Sequence, residues 1–412
     1  MLSTAIPHPS TGASAVALFE YLTSFREAGF RIFHIVILKR STLDQSALEH
    51  YISVFSSDAF RIHSVIVDGF TERGRTYTRP FRATRLPPVT VAWTKDMKPD
   101  LCFCYDIAAA GMRWTLDLPA KTLVWLGDLN FQVAWYKAWY AAQERWCDVF
   151  GLPLAWIEAQ QWRTFYRTVL APADKVIVTA KSSEGELARL GIPSTFLAYP
   201  WPESPLPSPP PPRQAKPSFV LFGHLAGLGS RSALHFLFEE LYPKLLARWG
   251  REGFTITLCG TSALTPWAQT KLAQTPEVRS IGFANDLTSL LLSCHGVLVP
   301  IDIPVGNRTR IIVAMMLGTP VIAHRNTALG NPGLVDGETC YLAGDAETFA
   351  ERMCRAYTHP EEVRRITRRA RAVYDAAYRP AVACSAMARE LRGLQASGRA
   401  SWETRLCTPV PR

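Results

Sequence analysis

The sequence predicts an α/β protein built as two doubly wound, parallel-sheet domains, and three observations carry that reading. At 412 residues the chain is too long for one ordinary core. The stretch from Pro200 to Pro217, PWPESPLPSPPPPRQAKP, is too dense in proline to be helix or central strand. It reads as a semi-rigid spacer between halves of similar size. Each half alternates short apolar, β-branched runs with helix-like segments, the pattern of a parallel sheet with helical crossovers. The division expected is a first domain at 1–200, a proline-rich linker at 201–217, a second domain at 218–380, a terminal helix at 381–395 and a flexible tail at 396–412.

In the first half, Ala13 to Ala28 reads as a helix and Arg31 to Leu38 as a buried strand. Leu101 to Tyr105, Thr122 to Leu126 and Lys175 to Thr179 are further strands. The very first strand must be short, since only a few residues precede Pro7. In the second half the strands are Ser218 to Phe222, Thr255 to Cys259, Gly296 to Pro300 and Pro320 to Ala323. Helices are expected at Ser232 to Trp249 and Arg308 to Leu317.

Composition narrows the function classes. Hydrophobic residues make up 48% and charged ones 19%, which suits a globular chain with ample core. The net charge of +10 suits an anionic partner such as a nucleotide, a phospholipid surface or a nucleic acid. The start MLSTAIPHPS lacks the features of a signal peptide, and no apolar run approaches the roughly 20 residues that cross a bilayer. A cytoplasmic protein is expected. The nine cysteines are scattered, and Cys102 and Cys104 read as buried thiols rather than zinc ligands. Arg364, Arg365, Arg368, Arg369 and Arg371 spread around one helix without a nucleic-acid module, so they read as a solvated face and no nucleic-acid partner is expected.

In open parallel sheets, ligands bind beyond the carboxyl ends of the strands. The turn Pro300 to Arg310 (PIDIPVGNRTR) leads there into the apolar helix IIVAMMLG, with Ile311, Ala314, Met315 and Gly318 on one face and Gly318 then Pro320 closing it. Arg308 and Arg310 sit at its start, where cations cost a few tenths to about 1 kcal/mol. Either a bound anion reverses that sign, with Gly306 letting the backbone approach it, or both arginines reach solvent and nearby acids. A second turn, Phe222 to Arg231 (FGHLAGLGSR), is glycine-rich but lacks dinucleotide-site spacing. In the first half, His8 to Ser14 (HPSTGAS) places small residues before a helix, and Asp128 ends the strand Trp125-Leu-Gly-Asp128. Asp128 either contacts a substrate hydroxyl or caps the next helix. The aromatic residues between Trp125 and Tyr166, among them Trp135, Tyr136, Trp139, Tyr140, Trp146, Trp156 and Trp162, read first as core, with a membrane, sugar or protein surface as the alternative.

At these residues the chain resembles the retaining glycosyltransferases of group 1, also called family 4, whose GT-B fold sets two Rossmann-like domains about a central cleft. Phe222-Gly-His-Leu with Ser230 to Pro243, Thr257 to Gly260, Ser280 to Leu287 and Gly333 to Gly337 are similar to successive parts of the family's donor domain. Gly306 to Val321 is similar to its signature donor-binding helix and is the most specific match. Asp174 to Thr179 and Leu190 to Pro193 resemble the end of its N-terminal domain. Where the family commonly carries two glutamates eight positions apart, this chain has Val305 and Val313, and Gly127 precedes Asp128 where a histidine is often found.

The resemblance implies metal-independent, retaining transfer of a sugar from a nucleotide-diphosphate sugar to a glycan, lipid-linked or polysaccharide-precursor acceptor, with no cofactor and with peripheral contact at the inner membrane face. It implies catalytic roles for Asp128, Arg308 and Arg310. Donor contacts would come from Gly223, Arg231, Gly260, Phe283, Gly306, Asn307 and Thr309, and acceptor contacts from Gly12 and Ser14. The terminal helix would pack back on the N-terminal domain. The alternative is a non-catalytic GT-B subunit that binds sugar or a partner in a glycan-assembly complex.

Overall fold

The computed structural model describes residues 1–10, 12–72, 81–261 and 263–406. In chain order its strands are β1 (Leu2–Ser3), β2 (Ile32–Lys39), β3 (Phe60–Val67), β4 (Thr71–Glu72), β5 (Arg82–Ala83), β6 (Leu101–Tyr105), β7 (Lys121–Leu126), β8 (Lys175–Val178) and β9 (Thr195–Phe196) in the first half. The second half contributes β10 (Ser218–Phe222), β11 (Thr255–Cys259), β12 (Val278–Ser280), β13 (Val297–Val299), β14 (Val321–His324) and β15 (Tyr341–Ala343). A seven-stranded sheet runs β3-β2-β1-β6-β7-β8-β9 and a six-stranded sheet runs β12-β11-β10-β13-β14-β15. Every pairing in both is parallel, and only the small β4–β5 ribbon is antiparallel. Each sheet reverses its winding next to its first strand, between β1 and β6 and between β10 and β13. Crevices for ligands open at such points, beyond the carboxyl ends. This is the two-Rossmann-like GT-B architecture.

The buried runs that spelled strands in the sequence are strands here, because a sheet covered by helices on both faces needs continuous apolar segments. β3 escaped that reading. It is an edge strand whose Arg61, His63 and Ser64 break the apolar run. The helix expected from Ser232 begins earlier, at Leu228, and widens into a π turn at Phe236–Leu241 before resuming as Tyr242–Trp249. Pro243 has no N–H for an ordinary helical bond, and the widened turn stands immediately before it. Arg308 is the cap residue of helix Thr309–Leu317 rather than part of its first turn, which leaves Arg310 there. Gly318 closes that helix in the left-handed conformation, and all of Ile311 to Leu317 is buried.

The proline-rich segment is tied to the second half. Trp201 N–H donates to the Tyr378 carbonyl at 2.8 Å, Tyr374 donates to the Trp201 carbonyl at 2.8 Å, and Glu203 accepts from Arg371 and from Arg379. The last helix, Pro380–Leu406, returns to the first half: Lys175 pairs with Glu390 at 3.1 Å and Arg392 donates to the Ala28 carbonyl at 3.1 Å. Of the expected flexible tail, residues 407–412 lie outside the described residues. Within the arginine cluster, Arg364 and Arg371 pair with Glu361 and Asp375 on their own helical run.

The aromatic-rich stretch corrects its first reading as core. Tyr140 and Tyr166 are buried, but Trp139, Trp146 and Trp156 are exposed, because the helices Asn130–Glu144 and Leu152–Leu170 form a hairpin whose turn stands clear of both sheets.

Candidate functional site

The site lies where the carboxyl ends of the two sheets face each other. On the second half, β10 and β11 are followed directly by Gly223 and Gly260, both at positive φ (130° and 153°). A Cβ on Gly260 would fall 1.7 Å from the Gly223 carbonyl oxygen, so only glycine lets these two turns pass so closely. The missing side chains leave slots for arginine. Arg310 Nη2 lies 3.1 Å from where a Gly223 Cβ would stand, and Arg308 Nη1 lies 3.1 Å from that position on Gly229.

Both guanidinium groups are under-neutralised. Arg310 donates to Ser230 Oγ at 2.9 Å, while its Nη1 is buried without a hydrogen-bond partner. Arg308 Nη2 is likewise buried and unpartnered, and its nearest counter-charge is Asp128 Oδ2 at 3.8 Å from Nη1. Burial pushes the Arg310 pKa down to about 9, and the neighbouring Arg308 charge adds to that effect. Burial lowers the Arg308 pKa too, with Asp128 opposing it. Two cations beside a helix N-terminus, facing one half-exposed carboxylate, make a site that gains from a further anion.

Asp128 does not cap the next helix. The cap position of Asn130–Glu144 is Leu129, without a side-chain bond. The Asp128 carboxylate instead meets Gly306 of the second half, where a Cβ would stand 2.0 Å from Oδ1. Gly306, at φ 74°, is squeezed from the other side as well, its carbonyl oxygen lying 2.2 Å from where a Gly330 Cβ would be.

The remaining sequence candidates are spread around this centre. Asn307 donates to the Tyr378 hydroxyl at 3.0 Å, and the Thr309 hydroxyl bonds Tyr199 at 2.9 Å, so both side chains anchor the loop. Arg231 is engaged by Glu144 of the first half at 2.9 Å. Burial works against the Glu144 carboxylate, yet His235 and Arg231 hold its pKa below the usual range. Phe283 follows Gly282, whose carbonyl accepts from Gly260 N–H at 2.8 Å, and projects 71% exposed. Gly12, at φ 78°, caps helix Ala13–Glu27 beyond β1, and Ser14 is exposed while its carbonyl accepts from Tyr105 at 2.8 Å. These two stand outside the arginine cluster. Sequence reasoning missed Asp302, whose Oδ1 accepts from Tyr140 and from Ser232, each at 2.6 Å. It lies inside the motif already singled out. Its partners, though, are distant in sequence.

Residues 216–359 match the family model described as glycosyl transferases, group 1. That stretch of the second half is similar to a group 1 glycosyl transferase domain. Search of curated proteins finds no match. Among solved structures, the fold is similar to HepE (Alr3699) of Anabaena in complex with UDP-glucose, at 13% identity and TM-score 0.61 over 95% of this chain and 99% of that one. It is similar to sucrose-phosphate synthase of Thermosynechococcus elongatus, at 16% and 0.65 over 96% and 98%. A glycosyltransferase of Rickettsia africae ESF-5 gives 11% and 0.63 over 95% and 97%. At such identities the likeness is one of fold. The Gly223–Gly260 turns, Arg308 and Arg310 fall inside the matched residues, and Asp128 falls outside them, across the cleft.

Proposed function

We propose that the chain moves a sugar from a nucleotide-diphosphate sugar to a glycan, lipid-linked or polysaccharide-precursor acceptor, by metal-independent, retaining transfer at the cytoplasmic face of a membrane. Residues 1–200 would bind the acceptor and 218–380 the donor. The reading rests on one observation above others: Arg308 and Arg310 each keep a buried, unpartnered guanidinium nitrogen at the start of helix Thr309–Leu317. The binding of UDP-glucose by the similarly folded HepE supports a donor of this class.

The donor pyrophosphate would fill that site, taking hydrogen bonds from both arginines and from the helix N-terminus. As the bond from the sugar carbon to the phosphate oxygen breaks, negative charge grows on the leaving phosphate, and the preorganised cations stabilise it more than the ground state. The acceptor oxygen bonds the same carbon, and its proton passes to the departing phosphate oxygen. Asp128, across the cleft at 3.8 Å from Arg308, orients the acceptor hydroxyl. Thermal stabilisation by UDP, GDP and ADP tests the reading. One nucleotide at 100 times its dissociation constant adds about 2.7 kcal/mol. That shift disappears in Arg308→Ala. No shift with any nucleotide overturns the assignment.

One observation favours the other reading, a non-catalytic subunit of a glycan-assembly complex. Val313 is buried and apolar at the position where the family carries a donor-binding glutamate. Turnover of any nucleotide sugar by the purified chain alone eliminates that alternative.

A further inference from the structure

The hairpin of Asn130–Glu144 and Leu152–Leu170 is joined by the 3-10 turn Trp146–Gly151, and while both helices bury apolar side chains, no residue of the turn is buried. Trp146 is 80% exposed, Phe150 72% and Trp156 55%, with Leu154 beside them. Single exposed apolar residues need no explanation, but Trp146 and Phe150, packed edge to face on the turn at 5.9 Å, with Trp156 early in the next helix, form a patch that soluble surfaces seldom tolerate.

The turn is held in place. Glu144, two residues before Trp146, pairs with Arg231 of the second half, and Tyr140 one turn earlier bonds Asp302. Two residues of backbone span at most about 7 Å, so whatever covers Trp146 lies beside the mouth of the cleft.

We propose that this turn seats the protein on an anionic bilayer, with Trp146, Phe150 and Trp156 entering the headgroup region. The proposal rests on the lipid-linked acceptor and membrane face of the function above, and names the surface that would bring the two together. Charge argues for this occupant: the chain carries +10, exposed Arg145 adjoins Trp146, and Lys137 is exposed on the helix that precedes the turn. Indole and phenyl rings flanked by cations suit the apolar-to-polar boundary of a negatively charged leaflet. Among the described residues no helix is long and apolar enough to cross a membrane, so the contact is one of lying on the surface.

Flotation of the purified full chain with phosphatidylcholine vesicles, with and without phosphatidylglycerol, tests this. The chain is expected to float with the anionic vesicles and to be released by salt. Replacing Trp146, Phe150 and Trp156 together by serine lowers the bound fraction about tenfold or more. Arg145→Glu weakens binding to anionic vesicles alone. Both variants keep the thermal midpoint and the nucleotide shift, because these side chains touch neither core nor donor site. A wild-type chain that stays with the pellet, or a triple variant that floats as well as wild type, overturns the proposal. So does a wild-type dimer that becomes monomeric in the triple variant without any vesicle binding, which assigns the patch to a second copy. Flotation is run without nucleotide, so its failure is separable from failure of the donor site.

Discussion

Asp128 Oδ2 lies 3.8 Å from Arg308 Nη1, and this pair spans the seam between two sheets that, among the described residues, share no strand pairing. The first half thereby places its carboxylate at the helix start that gathers the second half's cations. One anion faces two arginines, and the excess positive charge is what a pyrophosphate would meet.

Arg310→Met separates binding from folding. Burial without a full complement of partners makes this guanidinium costly to the empty protein. The variant's thermal midpoint should match or exceed wild type, while stabilisation by the cognate nucleoside diphosphate is lost. A lower midpoint together with an intact nucleotide shift would show that the arginine serves the fold instead.

Gly306→Ala should be more damaging than its one carbon suggests. The new Cβ meets Asp128 Oδ1 at 2.0 Å, on a residue at φ 74°. Strain of that kind costs about 1–3 kcal/mol. Turnover and nucleotide affinity should both fall, and calorimetry showing wild-type affinity would refute the close contact.

Asp106 makes a pH prediction. Its carboxylate caps helix Ile107–Arg113 by accepting from Ala109 N–H at 2.8 Å and also accepts from Thr4, yet burial raises its pKa from 3.8 to about 6. The folded form therefore binds a proton that the unfolded chain releases between those values. Its contribution, about 3 kcal/mol, is fully present below pH 4 and is lost as pH rises through 6. Asp106→Asn keeps the cap and removes the titration. Thermal midpoints measured from pH 4 to 7 should show a flatter profile for the variant, and parallel profiles would refute it.

Tyr140→Phe removes one hydroxyl from a bond between the halves. Asp302 would keep Ser232 and lose its contact with the first half, at a cost of about 1–3 kcal/mol. Denaturation of the purified variant reads that cost directly. An unchanged midpoint would mean the bond has no net value.

Much of this architecture was legible in the residues. Continuous apolar segments such as Leu101 to Tyr105 and Ser218 to Phe222 marked strands covered on both faces. The arginines at 308 and 310 stood out because they break the charge preference of a helix start. What the sequence hid depends on distance along the chain. The pairing of Arg231 with Glu144 and of Asp302 with Tyr140 joins residues 87 and 162 positions apart. No local pattern encodes those meetings. The exposed aromatics misled for a related reason: a tryptophan on a helical hairpin has the same spacing whether or not another element comes to cover it.

The returning helix Pro380–Leu406 has a consequence for how the chain can be cut and made. Its buried Met387 and Leu391 complete the core of a half whose other residues precede the prolines by as many as two hundred positions. On a ribosome, the amino-terminal half would wait for the whole second half to be synthesised before its own surface could close. A gene fragment ending at the linker should yield an aggregation-prone product, whereas co-expressing it with a separate peptide covering 380–406 should restore solubility.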